Sequence, residues 1–130
     1  RSLREEAEAP IRKQGEEQSS LLREIGGRIL EEISLMATEQ RKIASAPGET
    51  ASKLAQQVEI LSLGQQEAGQ ILGRVREILE QNASAELTLA AIQEIQQETG
   101  EARAALARIQ ETLLQSRTTV QTLQESNQEW

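Results

Sequence analysis

Residues 92–123 read IQEIQQETGEARAALARIQETLLQSRTTVQTL. Alternating steps of three and four from Ile92 select Ile92, Ile95, Thr99, Ala102, Leu106, Ile109, Leu113, Ser116, Val120 and Leu123, a heptad register sustained over more than four repeats. A straight helix drifts about 20° per heptad against a 3.5-residue period. The pattern therefore predicts a coiled-coil helix that supercoils against a helical partner. Thr99, Ala102 and Ser116 interrupt the seam and Gly100 weakens the helix, which lowers stability or sets register. With Ile92 at position a, Glu98 falls at g and Arg103 at the following e, an attractive pair in a parallel coil. The candidate protein interface is Ile92, Ile95, Leu106, Ile109, Leu113, Val120 and Leu123.

Upstream of this seam, Asn82-Ala83-Ser84-Ala85 reads as a short break. Asn82 is placed to end a helix in a left-handed conformation and Ser84 to cap the next. Before it, Leu54, Val58, Leu61, Ala68, Leu72, Val75 and Leu79 recur at helical spacing, and Ile71 and Ile78 widen the stripe enough to face two partners. Gly69 and Gly73 have the small-xxx-small spacing that lets another helix approach closely. Pro47-Gly48, within Ser45 to Thr50, is the clearest loop signal and favours a chain reversal. A first helix carries Ile11, Leu22, Ile25, Ile29, Ile33, Met36 and Ile43 on one face, with a bend expected at Gly26-Gly27. Proline disfavours helix in the residue before it, so a break or an initiating turn is expected at Pro10.

The expected organisation is a charged lead-in at 1–10, a helix at 11–45, a Pro-Gly loop at 46–50, a helix at 51–81, a break at 82–85 and a heptad helix at 86–130. The fold class is all-α, an elongated helical bundle of about three long helices with a coiled-coil third helix. At 1.5 Å per residue the first two helices span roughly 50 Å and the third roughly 65 Å. An overhang around Leu113, Val120 and Leu123 would then stay wet unless another chain covered it.

Composition agrees with this architecture. All 21 acidic residues are glutamate, the formal charge is −7, and Cys, His, Phe and Tyr are absent. Ala, Glu, Lys, Leu and Arg make up just over half of the 130 residues, as in coiled coils and long-helix proteins. The missing histidine and cysteine remove the usual proton-transfer group, the ready nucleophile and the common zinc and iron ligands. No cofactor or metal is expected. Glu94, Glu98 and Glu101 share one helix face and could couple their titrations, but a solvated charged face is the simpler reading, and no phosphate loop or nucleophile elbow is present. The basic pairs Arg12-Lys13 and Arg41-Lys42 are short and flanked by glutamates, which argues against nucleic acid. No window is apolar enough to span a membrane and no signal peptide opens the chain. An opening at Arg1 reads as a processed chain or an excised fragment.

Gln65 to Glu86 resembles the adaptation helices of bacterial chemoreceptors over about a sixth of the chain, without those receptors' signalling-tip sequence. Two roles follow from the residues: a non-catalytic oligomerisation or scaffold segment acting through self-association or a helical partner, and, as the alternative, a helical sensory module of a larger, membrane-anchored receptor.

Overall fold

The computed structural model describes residues 3–44, 50–83 and 88–126. They form three helices: α1 (Leu3–Ala44), α2 (Thr50–Ala83) and α3 (Leu89–Ser126). Each packs on the other two, giving an all-α three-helix bundle.

Contacts fix the topology. Gln40 donates to the Val58 carbonyl and Gln65 to the Ile33 carbonyl, at 3.1 and 3.4 Å, so numbers rise along α1 as they fall along α2. Arg108 pairs with Glu67, and Arg74 with Glu98, so α2 is antiparallel to α3 as well. Gln110 reaches Glu32 and Arg117 reaches Glu39 with the same sequence separation, 78, so α1 and α3 are parallel. The chain runs up, down and up. The core stacks Leu22, Ile29 and Met36 of α1 on Leu54, Leu61 and Val75 of α2 and on Ile92, Ile95, Ile109 and Val120 of α3, all fully buried.

Several expectations need correction. Helix α1 begins at Leu3, with Pro10 inside it, rather than after a lead-in. An interior proline removes one hydrogen bond and crowds the carbonyl four residues back, costing about 3 kcal/mol. Here it is surrounded by Ala, Glu and Arg, the residues most favourable to helix. Gly26-Gly27, where the sequence suggests a bend and not an end, lies within the same helix. A Cβ on Gly26 would lie 3.3 Å from Val75, so this glycine serves close packing of α1 on α2.

Asn82 does not terminate α2, which runs to Ala83; its side-chain amide donates to the Ile78 carbonyl one turn back along the same helix, at 2.8 Å. Helix α3 opens at Thr88. The Thr88 hydroxyl accepts from the Ala91 N–H at 3.1 Å, the bond that defines an N-cap. Ser84, the Pro47-Gly48 loop and the tail at 127–130 lie outside the described residues.

Candidate association surface

The ten heptad positions of α3 all turn inward, nine of them buried and Leu123 half-buried. Their cover comes from the same chain. The expected overhang is absent: Leu113 and Val120 are 3% and 0% exposed. Helix α1 reaches Ala44 and α2 starts at Thr50, so Ile43 and Leu54 close the core at the level of Val120. The overhang belongs to α1 instead, because the shared α1/α3 register carries its first two turns past Leu89.

Two neighbours require a wider face than a coiled-coil seam. Helix α3 meets this by also burying Glu98 and Ala105, at the g positions that face α2. Glu98 therefore pairs inside the chain, and the expected pairing with an Arg103 across a parallel coil is not made. The Arg74 guanidinium donates to Oε2 of Glu98 and to Oε2 of Glu101, both at 3.1 Å. Oε1 of Glu98 is buried with no hydrogen-bond partner. Burial pushes the Glu98 carboxyl above its ordinary range, Arg74 opposes this, and Glu101 and Glu94 add to it. Glu39, on α1, is a second buried carboxylate: Arg117 stands 3.8 Å from its Oε2, and its Oε1 has no partner.

Sequence spacing had placed Glu94, Glu98 and Glu101 on one solvated face. Glu98 is instead a buried group held by an arginine of α2. The two sites share no cleft, and among the described residues no group of three acidic side chains is arranged to hold a metal. No helix among them is long and apolar enough to cross a membrane.

On the outside of the bundle a groove of about 300 Å³ lies between α1 and α3, lined by Leu21, Glu24, Ile25, Arg28, Arg103, Leu106, Ala107 and Gln110. Beyond it, at one level of the shared register, come Leu35 and Leu114, 39% and 60% exposed. Gly69 and Gly73, expected to admit a neighbouring helix, have no atom within 4 Å of a Cβ built on either; no helix of this chain uses them.

No protein-family model matches the chain, and comparison with curated proteins and with solved structures gave no match.

Proposed function

We propose that this chain is a non-catalytic association module, a compact helical rod whose role is to hold protein partners together. One observation carries the reading. With its three-helix core already closed, the bundle still presents Leu35 and Leu114 at one level beside the α1/α3 groove. Of the six exposed large aliphatic side chains among the described residues, these two adjoin at one level of neighbouring helices, and exposed aliphatics that adjoin, as opposed to those scattered singly, mark contact surfaces. The residue inventory points the same way, since it supplies neither histidine nor cysteine for general acid–base or nucleophilic work.

The heptad seam is covered within the chain, so folding does not wait for a partner. Helicity should be independent of concentration, while the mass in sedimentation equilibrium rises with it. A chain that stays monomeric to about 1 mM, where even a binding energy near −4 kcal/mol would show, would sink the self-association form of this reading.

The sensory alternative draws on different residues. Glu39, Glu98 and Ser116 each bury an oxygen without a partner, which weakens this packing relative to others and suits a bundle with two accessible arrangements. Exchange broadening confined to residues around these three, in relaxation-dispersion measurements, would favour it; uniform relaxation would remove it.

A further inference from the structure

Helix α3 carries a second heptad series, one residue out of step with the buried seam: Gln93, Gly100, Ala107, Leu114 and Gln121, all exposed. The series is symmetric in a specific sense. Counting outward from Ala107, seven residues one way is Gly100 and seven the other is Leu114; fourteen gives Gln93 and Gln121. An antiparallel copy laid on this stripe, with the two-fold at Ala107, sets each Leu114 over the other copy's Gly100. Nothing lies within 4 Å of a Cβ built on Gly100, so the hole for that knob is open. Ala107 meets its own counterpart, and its small side chain lets the helices approach closely.

Charge next to the axis follows the same reversal. Arg103 lies four residues to the N-terminal side of Ala107 and Glu111 four residues to the C-terminal side, both exposed. Turning one copy end for end sets each Arg103 over the other copy's Glu111. It also carries Leu21 toward the second copy's Leu35. Arg28 is held by Glu24 at 3.7 Å and Arg117 stands 3.8 Å from Glu39, so these pairs add no net charge to the face. A parallel arrangement would instead set Arg103 on Arg103 and Glu111 on Glu111.

We propose that a second copy of this chain docks antiparallel on the α1/α3 face, with the two-fold axis at Ala107. The proposal rests on the association reading above and names its partner and geometry. From Gln93 to Gln121 the stripe is about 42 Å long, and two adjacent helices present a face about 20 Å wide. That is close to the roughly 800 Å² per partner of a standard stable interface. Such a contact is isologous and closes at two copies, so it builds a dimer and no filament.

The chain has no cysteine, so introduced ones report the geometry directly. A disulfide needs Cα atoms within about 7 Å. Under mild oxidation A107C should crosslink to itself, whereas Q66C, on the exposed side of α2, should not. G100C and L114C should each crosslink poorly alone, and an equimolar mixture of the two at least tenfold better. Crosslinking of L114C to itself as readily as to G100C, or of Q66C as readily as A107C, overturns the proposal.

Sedimentation equilibrium separates the two levels of the argument. A dimer that A107R weakens at least tenfold, with unchanged helicity, supports the face. A wild-type dimer that A107R leaves intact removes this face while the association reading stands. A wild-type monomer removes both.

Discussion

The two seams that α2 makes are built from different chemistry. Against α1 it is stitched by neutral amides: Gln40 donates to the Val58 carbonyl and to the Ser62 hydroxyl at 3.1 and 2.8 Å, and Gln65 to the Ile33 carbonyl. Against α3 it is joined by ion pairs, Arg74 with Glu98 and Glu101, and Arg108 with Glu67 at 2.9 Å. The contrast gives the glutamine-rich composition a use. A glutamine reaches a neighbouring helix without a buried charge, and its bond does not respond to salt, whereas the arginine pairs bind the α2/α3 seam to ionic strength and pH.

The largest effect should come from a residue that serves both seams. Leu61 is fully buried among core residues of all three helices, and Leu61→Ala should cost about 2–5 kcal/mol, read as a lower denaturation midpoint at unchanged slope. A biphasic transition would mean that the seams melt separately and that the chain is not one cooperative unit.

Next comes Gly64, where α2 touches both partners. A Cβ there would sit 2.9 Å from Met36 Cε on α1 and 3.7 Å from Thr112 on α3. Gly64→Ala should be near neutral, because about 1 kcal/mol of helix propensity is set against a shift of the flexible Met36 end. Gly64→Leu overfills the site and should cost about 1–3 kcal/mol. Gly73→Ala, with open space around its Cβ, should stabilise by about 0.5–1 kcal/mol. Equal responses of Gly64 and Gly73 to alanine would show that the helices do not approach closely at Gly64.

The stitches themselves come third. Gln40→Ala should cost about 1 kcal/mol, the same in low and high salt. Arg108→Gln removes a pair whose members are 59% and 43% exposed, worth about 0.2–1 kcal/mol at low salt. That loss should vanish near 1 M salt, where the screening length is about 3 Å. If Gln40→Ala proved to be the salt-sensitive variant, the division between the seams would be wrong.

These magnitudes also explain what the residues did and did not reveal beforehand. Periodicity in α3 identified the buried face residue by residue, because Ile, Leu and Val at a 3.5-residue spacing have no other stable use in water. It could not identify the cover. A seam buried by two helices of its own chain and one buried by another molecule need the same residues at a and d. The distinguishing feature is the widened g face, and here g holds Glu98, Ala105, Thr112 and Thr119, which do not read as apolar. Sequence spacing gives helix lengths but not the alignment of one helix on another: the shared register sets the end of α1 at the level of Val120, and the turns that continue α1 through Pro10 to Leu3 overhang at the opposite end. The exposed stripe through Gly100, Ala107 and Leu114 lay in plain sight, but it acquires meaning only once the neighbouring face is known to be occupied.

The smallest expected effect tests the α2/α3 seam at its most strained point. Glu98 has a side chain only 3% exposed, and burial raises its carboxyl above the ordinary range. The folded chain thus binds a proton there more readily than the unfolded chain does. Stability should rise as pH falls through the raised value, and the gain should be complete once pH is below the unfolded carboxyl's range, near 4. This is the reverse of a salt-bridged carboxylate, in which acid removes a favourable charge. Glu98→Gln mimics the protonated group: its amide can donate toward Glu101, its carbonyl can accept from Arg74, and no buried charge remains. The variant should melt no lower than wild type at pH 7, and the difference between the two should shrink toward pH 5. Taking that difference cancels the general relief of charge repulsion that acid brings to a chain of net charge −7. A variant clearly less stable than wild type at pH 7 would mean that the Arg74 attraction outweighs desolvation, and that the charged seam is held as firmly at Glu98 as the neutral one is at Gln40.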